Sequence, residues 1–158
     1  MAAELANAQA SVLDRLLDDA PGVSSEPVQF RLQDIGQVKA SVVRDLENLL
    51  NTKRSPEDPP GEFRQLNNSL IVYGLSDLTS HNARSPRVRQ QILHEIERII
   101  GRFEPRLRNV DVHLETHGDN DRIIRFRITG ILRVEPLSEP VTFDTVLDVN
   151  NVQFQVRG

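Results

Sequence analysis

Glutamate, proline and arginine stand in succession at positions 104 to 106, bracketed by Phe103 and Leu107. Proline fixes its own φ and pushes the residue before it out of the α region, so Glu104 is extended. The Glu104 and Arg106 side chains then project on the same side of the backbone. A stiff acid-base fork of this kind does mechanical chemistry. It locks a helix to a sheet inside the molecule, or it engages a complementary charge pair on another protein. Taken by itself, the tripeptide also fits a solvated connector, in which such a pair is worth little.

Groups suited to catalysis are sparse. His113, Glu115 and His117 alternate along one face of a strand pattern, where side chains can converge on an ion. That face lies opposite Val112 and Leu114, so the spacing describes a wet, flat surface better than a metal site. Glu104, Glu115, Asp144 and Asp148 supply carboxylates, and a glycosidase needs two of them across a scissile bond. A sugar cleft also wants aromatic walls, and the chain has no tryptophan and one tyrosine. G-x-S-x-G, phosphate-cradling glycine loops and H-E-x-x-H are missing. The absence of cysteine removes thiolate chemistry and disulfides.

Two helical patterns and a run of strands must position the fork. Ile35, Val38, Val42, Leu46, Leu49 and Leu50 recur at helical spacing up to about Asn51, with Asp34 as cap and Gln37 completing a capping box. A second helix has Ser85 as cap, Pro86 at its first position, an inner stripe of Val88, Ile92, Leu93, Ile96, Ile99 and Ile100, and Gly101 just past its end. Its Glu95 offers at most weak surface pairing with Arg98. Between the helices, Ser55-Pro56 and Pro59-Pro60-Gly61 mark a loop, and 68–79 reads as one helical turn ended by Gly74 and then an ordered loop.

Beyond the fork the period changes to two. Val110, Val112 and Leu114 form one inward set, and Gly118 to Asp121 turns the chain. Ile124, Phe126, Ile128, Gly130, Leu132 and Val134 form a second set, with Gly130 expected as a bulge or bend. Glu135 to Pro140 turns again, and Val141, Phe143, Thr145, Leu147 and Val149 follow. Asn150-Asn151 makes a tight hairpin into a last strand carrying Val152, Phe154 and Val156. The order implies an α+β fold, with N-terminal helices packed on a C-terminal antiparallel sheet of about four strands. If the last strand lies at the sheet margin, its backbone is open to another chain's strand, unless its polar residues keep that margin unused.

At the N-terminus, residues 11–17 form a short amphipathic pattern, and 18–27 have linker composition. The expected division is 1–28 as a helix with a flexible linker and 29–158 as a single domain. The net charge of −4 draws the molecule to no nucleic acid, although residues 84–108 carry a local excess of four positive charges. No apolar run approaches a membrane span, and the start lacks a signal-peptide pattern, so the expected location is cytoplasmic.

Several stretches together resemble a known family. They are Ser11 to Leu16, Val42 to Arg54, Ser69 to Thr79, and Phe103 to Leu107, in that order. The chain is similar to the TssE family of baseplate wedge subunits in bacterial type VI secretion, and to a small wedge protein of contractile phage tails. The family's Glu-Pro-Arg triad falls on Glu104, Pro105 and Arg106. Its Asn-Tyr-Gly-Leu-Pro-Asp reads Val72-Tyr73-Gly74-Leu75-Ser76-Asp77 here, with the proline lost. The resemblance implies a structural subunit without catalysis or cofactor, in a baseplate at the inner face of the bacterial inner membrane. It implies partners among the other wedge subunits, docked through the triad, and among the contractile sheath proteins, met by the strand carrying Val152, Phe154 and Val156. Some relatives bear a lysozyme label, which makes a peptidoglycan hydrolase the alternative.

Overall fold

Apolar residues three and four apart from position 35 onward build one long helix, α1 (Ile35–Asn51), which buries Val38, Val42, Leu46, Leu49 and Leu50. The computed structural model in which it is seen describes residues 8–9, 12, 16, 32–33, 35–55, 59–76, 85–115, 123–134 and 137–158. Asp34 and most of the expected helix at 11–17 lie outside the described residues, although Val12 and Leu16 are helical and exposed. Two short strands that the sequence did not suggest, β1 (Ala8–Gln9) and β2 (Leu32–Gln33), pair antiparallel ahead of α1.

After α1 comes α2 (Arg64–Asn67), a single unforeseen turn, and then a 3-10 turn at Leu70–Val72. The latter is the helical turn expected before Gly74. Ser69 Oγ accepts from the Ile71 N–H at 3.3 Å and caps it. Gly74 sits at φ +99°, and a Cβ there would lie 2.2 Å from the Thr52 carbonyl oxygen. Only glycine allows this loop to press so closely on the end of α1. The Leu75 N–H donates to Thr52 O at 2.9 Å and the Arg54 N–H to Leu75 O at 2.8 Å, which fixes the approach.

Helix α3 (Pro86–Phe103) buries Ile92, Leu93, Ile96, Ile99 and Ile100, as its pattern demands. Its ends differ from expectation. Ser85 makes no side-chain cap, and its carbonyl accepts from the Arg89 N–H at 3.0 Å. Gly101 lies inside the helix, which runs on to Phe103. The stop comes from Pro105, which denies the α conformation to Glu104, found at φ −116°, ψ 81°. Sequence punctuation offered two terminators, and the stereochemically compulsory one acts.

Four strands follow as an antiparallel meander in the order β3 (Leu107–Glu115), β4 (Ile123–Val134), β5 (Leu137–Asp148) and β6 (Gln153–Arg157). Phe126, Ile128, Leu132, Val134, Val141, Phe143, Leu147, Phe154 and Val156 turn to the helices. Phe126 and Phe154 meet edge to face at 6.0 Å. Helix α3 lies over β3, α1 lies over β6, and the two helices touch. The result is the expected α+β architecture, one sheet face covered and the other in solvent.

Three details of the sheet depart from the sequence reading. The register shifts in β3, between Arg108 and Asp111, where Asn109 takes φ +51°. Gly130 lies opposite on β4 without breaking its pairing to β5. Its bare backbone instead makes room for the Arg108 carbonyl, which a Cβ would meet at 3.3 Å. Residues 137–140, expected in a turn, are strand. Pro140 is tolerated because β6 reaches only to Asp144, so no strand on that side asks for its N–H. The final hairpin uses four residues, Val149 to Val152. The Asp148 carboxylate accepts from the Asn150 N–H at 2.9 Å and from Asn151 Nδ2 at 3.1 Å. Val152 therefore belongs to the turn and not to the strand, at φ +49°, a conformation that β-branched residues rarely adopt.

Candidate docking site

The fork sits where α3 ends and β3 begins, and α1 passes beside it. Glu104 is 4% exposed, while Pro105 is exposed and the Arg106 side chain is 26% exposed. Arg106 Nε donates to Glu104 Oε1 at 2.7 Å, and Nη2 donates to Glu104 Oε2 at 2.6 Å, a bidentate pair. The Arg106 N–H adds a third bond to Glu104 Oε1 at 3.2 Å. Acid and base do project to the same side, as the proline requires.

Arg106 then reaches across to α1. Nη2 donates to Asp45 Oδ2 at 2.6 Å and Nη1 to Ser41 Oγ at 3.1 Å. Ser41 and Asp45 stand four residues apart, so they share one helix face. Arg44 donates to Asp45 Oδ1 at 3.1 Å through Nη2. Behind the network, Tyr73 meets Phe103 edge to face at 5.1 Å. The Arg106 carbonyl accepts from the Arg133 N–H at 2.8 Å, which ties the same residue to β4. Five segments thus converge on one patch: α1, the Tyr73 loop, the end of α3, the fork and the sheet.

Two anions and two cations balance in this patch. Burial by itself would lower the Arg106 pKa. The hydrogen bonds and charges of Glu104 and Asp45 outweigh that and raise it, so Arg106 is a permanent cation. Tyr73 is pushed up first by its own desolvation and then by the negative fields of Asp45 and Glu104. Of the five guanidinium hydrogens of Arg106, four are taken by Glu104, Asp45 and Ser41. One hydrogen on Nη1 has no acceptor among the described residues. The chemistry of the patch is a neutral, rigid array of paired charges at a partly open surface.

Of the two uses that the sequence allowed for the fork, the internal lock is present. Ser41 carries no mark in the sequence, and Arg44, Asp45 and Tyr73 stand only within stretches that carry the family resemblance, with no site role assigned to them. The available signal was the four-residue spacing of Ser41 and Asp45, directly beside the apolar Val38 and Val42. The other sequence candidates lie elsewhere. Phe154 and Val156 face the core, so their side chains are not open to a partner. His113 pairs with Asp111 at 3.1 Å, and Arg127 bridges Glu115 and Asp144 on the solvent face of the sheet. His117 lies outside the described residues. Glu95 makes the weak pair expected with Arg98, at 4.0 Å, and also accepts from Ser76 N and Oγ at 3.1 and 2.7 Å, which fastens the loop to α3.

A sequence model of the family described as baseplate wedge protein gp25 matches residues 36–137. The chain belongs to that family. The matched span runs from α1 to the start of β5 and contains every residue of the charge network. It leaves out β6. The family is one of structural baseplate components, and the chain's α+β fold and its resemblance to wedge subunits agree with it. Among solved structures, the chain is similar to one described as the baseplate complex from the type VI secretion system. The identity is 19% and the TM-score 0.46, with 70% of this chain and 94% of that one covered. No curated protein sequence matches the chain.

Proposed function

We propose that this protein is a wedge subunit of a type VI secretion baseplate, docking onto other wedge subunits through the surface around Glu104, Pro105 and Arg106. The observation that carries the reading is the family match over residues 36–137, which includes the entire network. The geometry supports it. Pro105 is exposed, one Arg106 hydrogen has no acceptor among the described residues, and α1, α3 and the sheet hold both residues in place. A docking element fixed this way loses little conformational entropy when it meets its partner. In this reading 29–158 form the wedge domain and 1–28 an appendage, and Glu104 acts from inside by setting the pose of Arg106.

The same reading gives the sheet a role in starting the contractile sheath. Strand β6 lies at the sheet margin, and extended chains recognise such margins through main-chain hydrogen bonds. The baseplate would assemble on the cytoplasmic side of the inner membrane. No described helix is long and apolar enough to cross a membrane. Co-purification from the native bacterium tests the proposal. Wedge and sheath subunits are expected with the unaltered chain, and a Pro105→Asp chain that keeps its circular dichroism is expected to lose the wedge subunits. Unchanged recovery with Pro105→Asp contradicts docking at this surface.

The peptidoglycan-hydrolase reading gains nothing from the geometry. Glu115 and Asp144 both spend their charge on Arg127, and Glu104 is buried against Arg106. A cavity of about 600 Å³ is lined by Arg54, Ser76, His94, Glu95, Glu97 and Arg98, with no aromatic wall for a sugar ring.

A further inference from the structure

The cationic stretch at 84–108 acquires a geometry in the fold. The Leu107 N–H donates to the Glu104 carbonyl at 3.1 Å, which closes a four-residue turn with Pro105 and Arg106 at its tip. Such a turn holds the Cα atoms of its two ends within about 7 Å of each other. Its arms therefore stand close together, and each carries an arginine, Arg102 in the last turn of α3 and Arg108 in β3. Both are exposed. Arg133 is exposed as well, and its N–H bond to the Arg106 carbonyl sets it beside the turn on β4.

The acids of the neighbourhood are already engaged. Glu104 gives both oxygens to Arg106, Asp45 divides its oxygens between Arg106 and Arg44, and Glu139 accepts from Lys39 at 2.6 Å. Further up α3, Glu95 holds Ser76, and Glu97 lies 3.4 Å from His94. Among the described residues, no carboxylate comes within ion-pair distance of Arg102 or Arg108. A neutral array is thus flanked by guanidinium groups whose charge is not balanced nearby. The approach is open on the helix side, because a Cβ at Gly101 would meet nothing within 4 Å.

We propose that this turn receives an acidic segment of the wedge subunit on which the chain docks, with carboxylates paired to Arg102 and Arg108 around the contact at Pro105 and Arg106. The inference rests on the proposed docking and supplies the chemistry of the partner. A guanidinium matches a carboxylate with two parallel hydrogen bonds, so the pairing fixes orientation as well as sign. The whole chain carries −4, so an acidic partner is drawn to this end and repelled by the rest, which selects one face for docking. A membrane or a nucleic acid spreads its charge far beyond one turn and would meet that repulsion in full. A short acidic segment does not.

Three double variants test this, Arg102→Lys/Arg108→Lys, Arg102→Met/Arg108→Met and Arg102→Glu/Arg108→Glu, each co-purified from the native bacterium beside Pro105→Asp. Neither arginine side chain bonds a described residue, so circular dichroism and melting should match those of the unaltered chain, and the methionine pair serves if the glutamate pair does not fold. Recovery of the wedge subunits should stay near normal with lysine, fall several-fold with methionine, and fall about tenfold or more with glutamate, which sets like charges against each other. Normal recovery with the methionine or the glutamate pair overturns the inference. If Pro105→Asp still loses the subunits in that case, docking at this surface stands and the acidic partner alone falls. Flotation of the unaltered chain with phosphatidylglycerol vesicles, abolished in the glutamate pair, would also overturn it, in favour of a membrane.

Discussion

Removing the guanidinium of Arg106 should unsettle the fold and the proposed docking surface together, and the size of the structural part follows from what is left behind. In Arg106→Ala, Glu104 stays buried with a single bond, from the N–H of residue 106, and loses both contacts to Nε and Nη2. Breaking a buried pair from one side costs about 3 to 5 kcal/mol, most of it from the stranded charge. The retained backbone bond and the partial exposure of Arg106 place this site at the low end, about 3 kcal/mol. Asp45 is 28% exposed on its side chain and turns to solvent and Arg44 at little cost. For a domain of this size the loss lowers Tm by about 6 to 12 °C. The assay is urea unfolding followed by circular dichroism, with an unchanged slope and an earlier midpoint.

An internal control sharpens the test. The double variant Glu104→Gln/Arg106→Ala should recover about half of the loss or more, since no charge is stranded. A loss below about 1 kcal/mol in the single variant, or a double variant no more stable than the single, refutes the reasoning that Arg106 neutralises a buried carboxylate.

Other perturbations probe neighbouring parts of the account. Gly74→Ala puts a Cβ 2.2 Å from the Thr52 carbonyl at φ +99°, and thermal melting should show a loss of about 1 to 3 kcal/mol. Gly101→Ala lies in an open helical position and should gain about 0.5 to 1 kcal/mol in the same measurement. Tyr73 is the chain's one tyrosine, so ultraviolet absorbance titrates it alone, and the midpoint should lie above 10. A folded pKa above the unfolded one gives stability that is present below pH 10 and lost as pH rises through the folded value, and Tyr73→Phe should abolish that component. Val152→Asn relieves a β-branched residue at φ +49° and should raise the melting temperature by a few degrees, about 1 kcal/mol.

Much of the fold was legible because its signals were local and redundant. The stripes of α1 and α3 and the alternation along β4 each bury what they announce, and Gly74 marks its own turn. Signals failed where two local rules competed. Gly101 and Pro105 both advertised a helix end, and only the proline forbids continuation. Asn150-Asn151 looked like a two-residue hairpin, but the carboxylate of Asp148 organises a longer turn around them. The fork itself was legible, including the shared direction of its charges. Its partners were not, because Ser41 and Asp45 lie more than sixty positions away and meet Arg106 only once α1 packs beside the junction.

The central claim is that Arg106 is presented outward by a network that also holds the fold together. It is tested most directly by co-purifying Glu104→Gln/Arg106→Ala from the native bacterium and measuring its melting in parallel. The account predicts a folded chain, more stable than Arg106→Ala, that no longer brings down the other wedge subunits. A double variant that recovers them in normal amounts would confine Arg106 to an internal lock and contradict docking through the fork.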